Sequence, residues 1–197
     1  MTDEIQVQRL PAPGTPMTAT DFANLPETMT RIELINGVVV YPHGYGEGDM
    51  APAPQISHQM VTGKTYALLL KLDLNGTVLI APVDVKLPDS STIQPDVLWI
   101  APDSLCVIER QRIVGAPELM VEVISPGSER YDKVDKFRLY EKNGVKEYWI
   151  AHPEAKYLEV WQLINGLFQK SGIYKMDESF TSPLLQKVIH LAEIFAL

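Results

Sequence analysis

The chain has 197 residues and a single cysteine, Cys106, so an intramolecular disulfide is excluded and a reducing cytosol is the expected setting. Cys106 reads as a small core residue rather than a nucleophile. Histidine is scarce as well: residues 43, 58, 152 and 190 share no ligand spacing with one another or with Cys106, which argues against zinc. No apolar run approaches the roughly 20 residues of a membrane span. No basic start followed by an apolar stretch appears, so no signal peptide is expected and the predicted location is cytoplasmic. There is neither a GxxxxGK[ST] loop nor a GxSxG elbow, which removes the usual nucleotide hydrolases, a nucleotide cofactor and the serine esterases. Positive charge is in short supply: 17 Lys and Arg stand against 25 Asp and Glu, a formal charge of −8. A general coat for nucleic acid is therefore absent. Repeats, low-complexity tracts and a second domain are also missing. With 46% hydrophobic residues, the length suffices for one domain with a proper core.

What is present concentrates between residues 95 and 150. In Glu118-Leu119-Met120-Val121-Glu122-Val123-Ile124 the apolar residues fall on both faces, the pattern of a strand buried on both sides. An ionised Glu122 inside it is costly without a partner or a metal. Asp96 poses the same problem, because Val97, Leu98, Trp99 and Ile100 follow it directly. Two such carboxylates on adjacent strands can share a hard cation. Mg²⁺ suits that task, since it takes oxygen ligands and keeps several waters. The plain alternative puts each acid at a strand end, touching water.

Ser125-Pro126-Gly127-Ser128 ends the Glu122 strand. Ser128 is a fair N-cap, with Glu129 in the first turn where an acid complements the helix dipole. Val134, Phe137 and Tyr140 predict one apolar stripe on a helix over 129–143, stopped by Asn143-Gly144. Lys133 and Lys136 lie in its first turns, and an ammonium there can hold a phosphate or a water beside a metal. The segment 128–146 carries Arg130, Lys133, Lys136, Arg138, Lys142 and Lys146 against Glu129, Asp132, Asp135 and Glu141, a net of +2. Most of these charges read as a solvated helix face.

In order, PDV (95–97), EVISPGS (122–128), the DxxxK from Asp132 to Lys136 and GVKEYWIAHP (144–153) resemble the Uma-type family of restriction-endonuclease-like proteins, within the PD-(D/E)XK nuclease superfamily. The resemblance extends to IELINGVVV (32–40), APAPQISHQMVTGKTYALLL (51–70), APVDVKLP (81–88) and SPLLQKVIHLAEIF (182–195). It implies a restriction-endonuclease-like α/β (mixed α+β) fold. It also implies a Mg²⁺- or Mn²⁺-dependent endonuclease that hydrolyses phosphodiester bonds in DNA. Asp96 and Glu122 would hold the metal, with the backbone carbonyl of Val123. Glu33, Asp84 and His58 would support the site, with one ion or two. The superfamily's usual lysine, two residues after the acid on the same strand, is replaced here by Ile124. The resemblance assigns the role to Lys136 on the following helix, with Lys133 the alternate. Superfamily enzymes that cut both strands are often dimers, so a homodimer is compatible with this reading.

Elsewhere, residues 1–16 read as a loose or strand-like arm before a single domain over 17–197. A short helix over 18–25 precedes a hairpin, 31–35 and 38–41, turned by Asn36-Gly37. Glu33 lies in its first strand, where the plain reading pairs it with Arg31. Tyr41 to Pro54 reads as a loop. A helix is predicted over 55–72, with His58 near its start. Thr77–Ala81 reads as a strand and 82–87 as another; this 77–87 stretch, with strands over 96–100, 118–124 and 146–151, should form the central sheet, packed by the 55–72 and 129–143 helices. Asp84 alternates with Val83 and Val85 and is placed to face the cleft of Asp96. A second hairpin is expected over 157–174 and a short helix over 191–197. Two rival readings accompany the nuclease: a non-catalytic nucleic-acid-binding or protein-interaction module keeping the fold, and a homodimeric scaffold with Trp149, Tyr157 and Trp161 at an interface.

Overall fold

The structure, a computed structural model, describes residues 10–26, 28, 30–42, 55–125 and 127–196. Helix α1 (Ala19–Ala23) leads to the hairpin β1 (Glu33–Ile35) and β2 (Val38–Val40), then the long helix α2 (Ile56–Lys71). Strands β3 (Thr77–Ile80), β4 (Asp84–Lys86), β5 (Thr92–Ile93), β6 (Val97–Ile100), β7 (Val107–Ile108), β8 (Arg112–Val114) and β9 (Leu119–Val123) follow. Helix α3 has a π-helical first part (Tyr131–Lys136) and an α-helical second part (Phe137–Asn143). The chain ends with β10 (Glu147–His152), β11 (Tyr157–Ile164), β12 (Leu167–Lys175), β13 (Ser179–Thr181), β14 (Val188–His190) and helix α4 (Leu191–Phe195).

Two six-stranded mixed sheets carry the fold. The central one runs β12-β11-β10-β9-β6-β3, with β9 and β10 parallel and the other pairs antiparallel. The second runs β2-β1-β5-β4-β8-β7, with β4 and β8 parallel. Because strand side chains alternate, β9 sends Leu119, Val121 and Val123 to the face shared with Leu68 and Leu69 of α2 and Ile194 of α4. Met120 and Ile124 go to the opposite face, with Leu139 and Tyr140 of α3 and with Val85, Ile93 and Ile113 of the second sheet. Glu122 has the parity of Met120 and Ile124. Alternation alone therefore aims it into the layer between the central sheet, the second sheet and α3.

Several expectations are corrected. Of the two strands on either side of Pro82 only the first joins the central sheet: β3 pairs with β6, whereas β4 pairs with β5 and β8 in the second sheet. The 157–174 hairpin is part of the central sheet, for β11 pairs with β10 along its whole length and covers an edge that would otherwise be open. On α3 the buried side is Asp132, Lys136, Leu139 and Tyr140, while Val134 is 37% exposed. Of the stripe that an α-helical count assigns to Val134, Phe137 and Tyr140, the last two pack on the core and only Val134, within the wider π-turns, is turned out. Trp149 is fully buried, donates from Nε1 to Glu147 at 2.6 Å and packs edge-on to Phe180, so it serves the core and no interface.

The turns behave as their residues predict. Asn36 and Gly37 have φ of +49° and +76°, as a two-residue hairpin turn requires. The described part of the arm lies along this hairpin, where the Gly14 N–H donates to the Val39 carbonyl and the Tyr41 hydroxyl to that of Pro11. Most of the predicted 41–54 loop lies outside the described residues. Cys106 is half-buried against the core, and burial pushes its thiol up, away from nucleophilic use. Gly76 has φ of +121°, and a Cβ there would lie 2.3 Å from the Ile100 carbonyl oxygen. Gly76→Ala should therefore cost more than about 1 kcal/mol in urea unfolding. An unchanged midpoint would contradict that.

Candidate functional site

Asp96 immediately precedes β6 and Glu122 lies in β9. These strands pair with Val97 opposite Val121, so the next step along the register sets Asp96 against Glu122. Glu33 starts β1, and Asp132 and Lys136 descend from the π-helical part of α3. All five are buried. Lys136 Nζ lies 2.7 Å from Glu122 Oε1 and 3.6 Å from both Glu33 Oε1 and Asp132 Oδ1. From the other side Arg31 reaches Glu33 Oε1 with Nε at 3.1 Å, Asp96 Oδ1 with Nη1 at 3.1 Å and Glu122 Oε2 with Nη2 at 3.5 Å. Its Nη2 also donates to the Gln94 carbonyl.

The remaining oxygens are taken too. Asp96 Oδ2 accepts from the Val123 N–H at 2.7 Å and lies 3.3 Å from His58 Nε2. The Tyr140 hydroxyl donates to Glu122 Oε1 and the Tyr131 hydroxyl to Glu33 Oε2, each at 2.6 Å. The Gln94 N–H donates to Glu33 Oε1 at 3.1 Å, and its side-chain amide to Asp84 Oδ1 at 2.8 Å.

Four carboxylates here face two permanent cations, Arg31 and Lys136, and the acids divide accordingly. Burial works to raise Asp96, but the Arg31 guanidinium and the His58 contact outweigh it and hold the carboxyl well below its usual range. Glu33 is also lowered, since Lys136 and Arg31 overcome its burial. Glu122 goes the other way: burial, with Asp96 and Asp132 nearby, pushes it up to about 8 despite Lys136. Asp132 is raised by burial as well. Two acids are thus shifted down and two up, the pattern of carboxylates crowded beyond the positive charge available.

Among the described residues no three of His, Cys, Asp and Glu stand ready to hold a metal ion. The donor set nevertheless fits a hard divalent cation. It offers carboxylate oxygens from two paired strands, in a cluster of four acids against Arg31 and Lys136.

The sequence profile of a family described as putative restriction endonuclease, Uma2, matches residues 19–192. The chain belongs to the Uma2 family. A crystal structure of a putative nuclease of the DUF820 group from Anabaena variabilis is similar in fold, with a TM-score of 0.72 at 16% identity over 92% of this chain and 98% of that one. No protein of curated function matches. Among the described residues no helix is long and apolar enough to cross a membrane.

Of the residues singled out in the sequence, Glu33, His58, Asp96, Glu122 and Lys136 come together. Asp84 stands one step outside, linked to Glu33 through Gln94. Val123 meets Asp96 through its N–H. Lys133, the alternate lysine, is elsewhere: its Nζ pairs with Glu159 at 2.9 Å and Glu129 at 3.2 Å. Arg31, Asp132, Tyr131 and Tyr140 are the residues that sequence reasoning did not place in the site. For Arg31 a signal existed, since it lies two positions before Glu33 and so tends to share its side of the chain. Tyr140 carried none, because it reads as an apolar helix position.

Glu159 makes a second, separate cluster. Its carboxylate lies 3.1 Å from His152 Nε2, 2.9 Å from Lys133 Nζ and 3.5 Å from Lys170 Nζ. His152 in turn stacks on Tyr157, and Lys170 lies over Trp161. The His152 hydrogen bond and the Lys133 ammonium pull Glu159 down to about 2, so it contributes stability above its ordinary 4.5 that is lost as pH falls towards 2. Glu159→Gln should flatten the acid limb of a stability–pH curve in that window. An unaltered limb would contradict the assignment.

Proposed function

We propose that this chain is a divalent-metal-dependent endonuclease that hydrolyses phosphodiester bonds in DNA, with Asp96, Glu122 and Lys136 as its catalytic residues. The observation that carries the reading is the placement of two buried carboxylates on paired strands with a buried ammonium 2.7 Å from one of them. Membership of a family described as putative restriction endonuclease supports the substrate class.

Asp96 and Glu122 would hold Mg²⁺ or Mn²⁺, which when bound polarises a phosphoryl oxygen and makes a bound water more acidic. Asp96 is suited to this as a permanent anion, kept ionised by its cationic neighbours. Glu122 would bind such an ion as its carboxylate, so metal binding would oppose the upward push of burial. Lys136 keeps its proton, because Glu122 and Glu33 offset its burial, and so it can orient the attacking water and stabilise charge growing on the phosphate. Glu33 holds the Lys136 and Arg31 side chains, and Tyr131 fixes Glu33 in turn. His58 and the Val123 N–H orient Asp96 from behind.

A nicking assay on supercoiled plasmid with millimolar Mn²⁺ or Mg²⁺ tests the reading. The parent should convert plasmid to nicked or linear DNA, and chelation should stop it. Intact plasmid after exhaustive incubation overturns it. A second reading, a nucleic-acid-binding module without chemistry, is favoured by the buried Ile124 where the wider superfamily carries lysine. DNA binding without cleavage would select it.

A further inference from the structure

We propose that Arg31 is an internal counter-ion that stands between Asp96 and Glu122 and gives up both carboxylates when the divalent cation binds. The inference rests on the metal-dependent reading above. The two terminal nitrogens of the guanidinium touch one oxygen of each acid, at 3.1 Å for Asp96 and 3.5 Å for Glu122, so they bridge the same two groups that would share the metal. Lys136 approaches Glu122 by its other oxygen and makes no such bridge.

The contacts are unequal in a way that favours exchange. Of the Arg31 ion pairs with Glu33, Asp96 and Glu122 the last is the longest, and the Nε bond to Glu33 at 3.1 Å can persist when the terminal nitrogens let go. The Arg31 side chain is 16% exposed whereas Lys136 is 1% exposed, so Arg31 closes the solvent side of the cluster and Lys136 its floor. Arg31 also precedes β1 rather than lying within it, which leaves its backbone outside the regular ladder. A divalent ion added while the guanidinium stayed would set like charges a few ångströms apart in a buried site, where Coulomb terms are strong. Released from the acids, the planar fork of Arg31 is matched to a phosphate diester at the same opening.

The test is a Mg²⁺ titration of the parent protein followed by the Arg Nε–Hε resonances in NMR, with the Arg31 signal identified by its loss in Arg31→Lys. Metal affinity is measured in parallel by calorimetry on the parent and on Arg31→Ala. The Arg31 resonance should shift with the midpoint of metal binding, and folded Arg31→Ala should bind Mg²⁺ about tenfold tighter or more, as removal of a competing cation demands. Should Arg31→Ala fail to fold, the parent titration alone decides. Metal binding with an unmoved Arg31 signal, or equal or weaker affinity in a folded Arg31→Ala, overturns the exchange and leaves the metal-dependent reading standing. A parent that binds no metal overturns both.

Discussion

Lys136→Met is expected to cost about 3–5 kcal/mol of folding stability, the penalty for leaving buried charges without their partner. The ammonium is fully buried and faces Glu122, Glu33 and Asp132, so methionine would fill its volume while Arg31 alone opposed four acids. Urea unfolding measures the loss directly. Lys133→Met, three residues earlier and partly exposed against Glu129 and Glu159, should change stability by about 1 kcal/mol or less. Equal costs for the two lysines would show that the burial of Lys136 carries no such weight.

The pH dependence of that penalty follows from the acids. Glu122 titrates at about 8 in the folded protein against an ordinary 4.5, so over this window the folded state holds a proton that the unfolded state has released. Stability therefore falls as pH rises through it. Without Lys136 the carboxylates should rise further, and the gap between parent and Lys136→Met should widen from pH 5 to pH 8. A gap that narrows with rising pH would contradict the assignment.

Asp96→Asn is the second large effect, and it falls on activity. Asparagine keeps the volume and an oxygen that can accept from the Val123 N–H, but it removes the anion that a divalent cation needs. Cleavage should drop on the order of a thousandfold, the several kcal/mol that a bound metal supplies at about 1.4 kcal/mol per decade. Asp84→Asn, one hydrogen bond outside the cluster, should cost far less. The check is plasmid nicking at matched protein concentration, with folding verified for each variant. Parental rates in Asp96→Asn would remove Asp96 from the mechanism.

Much of this was legible in the residues because the relevant signals are local. Asn36-Gly37 dictates the hairpin that places Glu33, and the two-sided apolar run around Glu122 marks a buried strand whose acid needs a partner. What escaped is non-local. The strands before and after Pro82 go to different sheets, and only strand pairing reveals this and that β11 is the outer neighbour of β10. The π-helical turns of α3 are invisible to an α-helical count, so Asp132 and Lys136 emerge on the buried side where periodicity put Val134. Arg31 was hidden for a different reason. A cation beside an acid on a hairpin reads as a surface pair, and only the packing of the two sheets brings it onto Asp96 and Glu122.

The most direct test of the central claim is calorimetric titration of Mn²⁺ or Mg²⁺ into the parent and into Glu122→Gln, which keeps an acceptor for Tyr140 and Lys136. The account predicts saturable binding in the parent and its loss in the folded variant. No binding in the parent at millimolar metal, or equal binding in Glu122→Gln, would contradict it.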